Sequence, residues 1–217
     1  MNLSLQKTSQ MTEDSSDLKS WLKFVFDQLY EDEKHRKIKQ IALKYTGSGN
    51  VNLNKYLREQ DALETEAERR AHTSKFPIPE EEIWELYLSL IDLRVFPKNF
   101  KVVIYRGLPM SVIRKLNIGD EFYDAGFSSF TFSITTAIGF SRPAIGTMYP
   151  ILRLENPIEG VFFSNMGENE FVIGPRAKFL ITNIYDSIGI YDDFKNCFVK
   201  RAMTIYDIVF IGYQDPK

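Results

Sequence analysis

The chain has 217 residues, a length for one domain or for one domain with a helical appendage, and long enough to bury a core. Hydrophobic residues at 44% and charged residues at 26% are ordinary globular values, which excludes a disordered, collagenous or low-complexity chain. The charges nearly cancel, 27 Lys and Arg against 29 Asp and Glu, so no global basic field marks a nucleic-acid or membrane surface.

The single cysteine, Cys197, excludes an internal disulfide and a thiolate metal cluster, and it fits a reducing cytoplasm. With only His35 and His72 available, imidazole zinc sites and Ser-His or Cys-His nucleophiles are disfavoured, and no metal is expected. Carboxylates and hydroxyls are left to carry any chemistry. The first residues, MNLSLQKTSQMTEDSS, hold no apolar core of a signal peptide, and no stretch approaches the ~20 apolar residues of a membrane span. The expectation is a cytoplasmic protein with no membrane partner.

Composition divides the chain near residue 100. Residues 1–100 hold 32 of the 56 charged residues and only 2 of the 12 glycines, so a helical region over 1–100 and a β-rich region over 101–217 are expected, an α+β chain. Leu22, Val25, Phe26 and Leu29, then Ile38, Ile41 and Tyr45, keep a helical period. A polar helix follows over 52–71. Pro79 with Glu80, Glu81 and Glu82 starts another, whose stripe is Ile83, Leu86, Tyr87, Leu90 and Ile91. Beyond residue 101 the pattern predicts strands over 102–105, 121–123, 127–130, 148–154, 171–173, 178–184 and 203–212. Short helices are expected over 109–116 and 134–141.

Three segments of the β-rich half carry candidate chemistry. In Ile104-Tyr105-Arg106-Gly107 a strand ends in an arginine, and the glycine after it permits close approach to the backbone. In Gly126-Phe-Ser-Ser129-Phe-Thr131-Phe-Ser133 the alternation puts hydroxyls on both faces of a strand, so at least one needs an inward partner, and Ser133 is placed to cap the next helix. In Gly167-Glu168-Asn169-Glu170-Phe-Val-Ile173 a strand beginning at Glu168 would put both carboxylates on one face.

In this order, Arg106, then Ser129-Phe130-Thr131, then Glu168-x-Glu170 resembles the R-S-E class of mono-ADP-ribosyltransferases, whose motifs are an arginine, an S-T-S strand and an E-x-E. The resemblance spans roughly residues 102 to 212. It is closest to the small phage enzymes of the ModA and ModB type, through Ser-Phe-Thr-x-Ser followed by Thr-Ala-x-x-Phe-Ser. Ser129 matches the first hydroxyl, while Phe130 and Thr131 stand where the motif has Thr and Ser.

The resemblance implies a mixed β-sandwich core with an N-terminal helical wall to a cleft for NAD, the co-substrate. It implies transfer of ADP-ribose to arginine, with Glu170 supporting cleavage at the ribose, Ser129 holding Glu170, and Glu168 serving the acceptor. Arg106 would grip the diphosphate or the adjacent ribose, Gly107 the nicotinamide amide through its backbone, and Phe140 would stack near the nicotinamide. Arg142 would be a further phosphate contact. The loop Phe163-Ser-Asn-Met-Gly167 would recognise target proteins with an exposed arginine, host RNA polymerase or ribosome-associated proteins among them, without direct nucleic-acid binding. An NAD glycohydrolase and an inactive binding module of the same fold are the alternatives.

Overall fold

The computed structural model describes residues 102–109, 113, 116–145, 147–157, 160–163 and 170–215, together with 55, 57–59, 61, 62, 65 and 68. The helices expected around 22–45 and 79–97 lie outside these residues. Within the helix expected over 52–71, residues 55, 57–59, 61 and 68 are helical. Most of 109–116 also lies outside, although Ile113 is helical and fully buried.

The β-rich half resolves into β1 (Val103–Gly107), β2 (Glu121–Asp124), β3 (Ser128–Thr131), the helix α1 (Ile134–Phe140), β4 (Tyr149–Glu155), β5 (Val161–Phe163), β6 (Glu170–Ile173), β7 (Ala177–Ser187), β8 (Ile190–Asp192), β9 (Cys197–Val199) and β10 (Met203–Tyr213). Strands β5, β8 and β9 are additions to the sequence reading, and β6 is described over Glu170–Ile173, the strand start expected at Glu168 lying outside the described residues.

Eight strands form one mixed sheet in the order β2-β7-β10-β4-β1-β3-β6-β5, and β8 pairs with β9 in a separate hairpin. The sheet is antiparallel except where β10 runs parallel to β4. It also curls. The rings of Phe130 on β3 and Phe179 on β7 have centroids 5.9 Å apart although three strands separate them in the sheet. A flat sheet would hold those two strands about 19 Å apart.

The period-two alternation sorts the side chains by face. Ile104, Phe130, Leu152, Leu154, Phe171, Ile173, Phe179 and Ile208 fill the concave side as one apolar cluster. On the opposite face Tyr105, Ile151, Met203 and Ile205 pack with Ile134 and Ala137 of α1, which lies across β1, β3 and β4. Burial of these β-branched and aromatic side chains is the main favourable term holding the sheet in its curl.

Candidate active site

Residues far apart in sequence meet on three neighbouring strands, β1, β3 and β6. In register, Tyr105 stands opposite Thr131, and Thr131 opposite Glu170. The side chains at these positions share one face, and Ser129, two residues from Thr131, shares it too. Arg153 and Asp207 extend the row, Arg153 opposite Tyr105 on β4 and Asp207 opposite Arg153 on β10. Arg153 donates to Asp207 at 2.9 Å and also pairs with Glu155. Burial pushes the Tyr105 phenol up, against the opposing pull of Arg153.

The β1–β3 ladder is short. Among the described residues, Tyr105 and Thr131 are its only register pair, whereas β3 and β6 are paired at four positions. Beyond that pair no further register partners among the described residues join Arg106 and Gly107 to Ser129 and Phe130, and this unpaired end is called the opening of the ladder. Backbone groups that leave a ladder need other partners, which makes the end of a short ladder a natural place for a polar ligand.

Arg106 belongs to the concave face. Its guanidinium carbon lies 5.9 Å from the centroid of the Phe130 ring, within cation–π range, and its Nη2 donates to Asp124 at 2.6 Å. Asp124 also accepts from Arg58 through Nε and Nη2, both at 2.9 Å, and from the Gly126 backbone N–H at 3.1 Å. Burial works against the Asp124 charge, but the Arg106 and Arg58 guanidiniums outweigh it and hold the carboxyl below the usual range. Arg106 and Glu170 therefore approach the β1–β3 opening from opposite faces of the sheet.

Gly107 is required by packing. A Cβ there would lie 2.0 Å from the Ala137 carbonyl oxygen, 2.5 Å from the Ser141 nitrogen and 3.0 Å from the Phe140 carbonyl carbon. The close approach that glycine permits is thus made by the last turn of α1. This contact gathers two more candidate residues at the end of β1: Phe140, 56% exposed, and Arg142, exposed, whose backbone N–H donates to Leu108 O at 3.3 Å.

Helix α1 is clasped at its start by Asp192, which no pattern in the sequence singles out. Ser133 is the N-cap, accepting from the Thr136 N–H at 3.2 Å, and it donates its hydroxyl to Asp192 at 2.7 Å. Asp192, buried on β8, also accepts from Thr135 N at 3.0 Å, Thr135 Oγ1 at 2.7 Å and Lys195 N at 2.9 Å. Burial opposes its charge, and these hydrogen bonds prevail, keeping the carboxyl below the ordinary value.

Ser129 is half-buried on the Glu170 face, opposite Val172. The inward hydroxyl expected to need a partner belongs to Ser128, which is fully buried and makes no hydrogen bond among the described residues. Glu168 and most of the loop 163–167 lie outside the described residues, so the pairing of the two carboxylates on one face is not part of this geometry. Asp124 is the other functional neighbour absent from the sequence reading. Its signal is faint, an aspartate closing a strand ahead of Ala-Gly.

No protein-family model matches the chain, and no curated protein matches its sequence. Solved structures do match. The ADP-ribosyltransferase Vis from Vibrio splendidus superposes with a TM-score of 0.57 at 20% identity, over 95% of this chain and 85% of that one. The enzymatic component C2-I of the Clostridium botulinum C2 toxin gives 0.53 at 17% identity, over 85% of this chain and 44% of the toxin chain. Plx2a, an ADP-ribosyltransferase toxin from Paenibacillus larvae, gives 0.52 at 15% identity, over 89% and 94%. The chain has the fold of the ADP-ribosyltransferase toxins.

Proposed function

We propose that the protein is a mono-ADP-ribosyltransferase that moves ADP-ribose from NAD to arginine side chains of target proteins. The observation that carries this reading is the placement of Arg106, Ser129 and Glu170 on three adjacent strands around the opening of the β1–β3 ladder. The shared fold supports it independently.

In the proposed reaction the bond between nicotinamide nitrogen and ribose C1′ breaks, and a bond from an arginine Nη to C1′ forms. The proton lost by the guanidinium passes to a carboxylate, the role assigned to Glu168, and nicotinamide leaves with its electron pair. The transition state resembles an oxocarbenium ion, so negative charge beside C1′ stabilises it. Glu170 supplies that charge, with Ser129 and Thr131 beside it on the same face. Arg106 grips the diphosphate, a task suited to a planar cation, and Arg142 adds a second basic group near it. Phe140, exposed at the end of α1, offers a ring to the nicotinamide, and Gly107 its backbone.

Arginine as acceptor is supported by Glu168-x-Glu170 and by a structure of the fold neighbour Vis in complex with agmatine, a small molecule ending in a guanidinium. The targets proposed are cytoplasmic host proteins, RNA polymerase and ribosome-associated proteins among them.

Mass spectrometry after incubation with NAD, once with agmatine and once with a bacterial lysate, tests the reading. An ADP-ribosyl adduct on agmatine, and on arginine of lysate proteins, is expected together with nicotinamide release. Nicotinamide release without any adduct would replace the transferase by a glycohydrolase. Neither product would overturn both.

A further inference from the structure

One buried carboxylate joins three parts of the site. Asp124 is the last residue of β2, and its side chain is only 14% exposed. Its Oδ2 accepts from Arg106 Nη2 at 2.6 Å and from Arg58 Nη2 at 2.9 Å, so two guanidinium nitrogens sit on a single oxygen. Its Oδ1 accepts from Arg58 Nε at 2.9 Å and from Gly126 N at 3.1 Å. Gly126 leads directly into the strand that carries Ser129.

The two arginines are held differently. Arg58 presents the fork of Nε and Nη2 to the carboxylate and leaves its side chain 47% exposed, whereas Arg106 touches end-on and is 15% exposed. Two like-charged guanidiniums would separate without the shared anion. Brought together, they match a ligand with two adjacent anionic groups better than a lone cation does.

We propose that Asp124 is a positioning residue that sets Arg106 and Arg58 side by side as a paired receptor for the diphosphate of the dinucleotide, Arg58 being the second phosphate-binding arginine. The proposal rests on the reading of the site as an NAD site. It makes the helical segment around residue 58 a contributor to binding, and through Gly126 it ties the phosphate grip to the Ser129 strand.

The test uses the full chain, with NAD, ADP and nicotinamide as separate probes in calorimetric titration, alongside steady-state nicotinamide release. Asp124→Asn and Arg58→Ala are each expected to weaken ADP binding and raise KM for NAD by about tenfold or more, since each loses a charge-assisted hydrogen bond. Turnover at saturating NAD and inhibition by nicotinamide should stay close to wild type. The double variant should bind ADP no more weakly than the weaker single variant, because the two residues act as one unit. Arg58→Lys keeps the charge without the fork and should fall between.

Unchanged ADP affinity in Arg58→Ala overturns the proposal, and because that side chain is half exposed the variant remains informative even if Asp124→Asn fails to fold. Equal losses for ADP, nicotinamide and turnover would make the cluster merely structural. Wild-type protein that binds neither NAD nor ADP would overturn the NAD reading itself, whereas NAD binding that ignores all three substitutions would remove this inference alone.

Discussion

Thr131 stands directly between Tyr105 and Glu170 in the register of β1, β3 and β6, so the hydroxyl strand shares one row of the sheet with the carboxylate proposed to support bond cleavage. The row continues through Arg153 to Asp207, where the cation is held by carboxylates on two strands. Glu170 is thus placed by a continuous ladder, which fixes its backbone without reference to any ligand.

Replacing Glu170 by Gln keeps the volume and removes the charge. Nicotinamide release and transfer should both fall by on the order of 10²-fold or more, while the melting temperature changes little. Near-normal turnover in the folded variant would remove Glu170 from the reaction.

Gly107→Ala should damage the site through packing. With a Cβ 2.0 Å from the Ala137 carbonyl oxygen, the last turn of α1 must shift or β1 must bend. The expected loss is about 1–3 kcal/mol of stability, with weaker NAD binding because Phe140 moves with the helix. Chemical denaturation and NAD titration on one preparation measure both, and a fully stable variant would contradict the close contact.

Arg106→Ala strips a partner from Asp124 and a cation from the opening, so stability and the thermal shift produced by NAD should both decline. Arg106→Lys should recover most of the stability but little of the shift, since it lacks the planar fork. A full NAD-induced shift in the alanine variant would place Arg106 outside the binding site.

Asp192 predicts a pH dependence. Its folded carboxyl titrates below the ordinary value of 3.8, so its contribution is fully present above that value and is lost as pH falls through the folded one. Asp192→Asn should cost about 1–3 kcal/mol near neutrality, where the clasp on Ser133 and Thr135 is charged. The gap between wild type and variant should narrow as urea melts are repeated towards pH ~3. A constant gap would mean that the charge is not what holds α1.

The legible parts of this protein are those whose information is local. Alternation in Val103-Ile104-Tyr105 and in Met203–Tyr213 reveals strands, and Ser133 announces the start of α1. Arg106, Ser129 and Glu170 stand out because each sits in a short segment of unusual composition. Strands β5, β8 and β9 have three residues each, too few for a period-two pattern to emerge. Asp124 and Asp192 owe their roles to tertiary partners, Arg106 and Arg58 in one case and Ser133 and Thr135 in the other, which no spacing in the sequence reveals.

The position of β10 governs when the sheet can close. The last strand in chain order lies inside the sheet, antiparallel to β7 and parallel to β4, and it supplies Asp207 to the row that reaches Glu170. During synthesis the earlier strands wait with two unpaired edges, and the long-range parallel pairing that joins them is slow to form. A nascent chain stopped before residue 203 should therefore be sensitive to protease, because the sheet that holds Glu170 has not yet closed around β10.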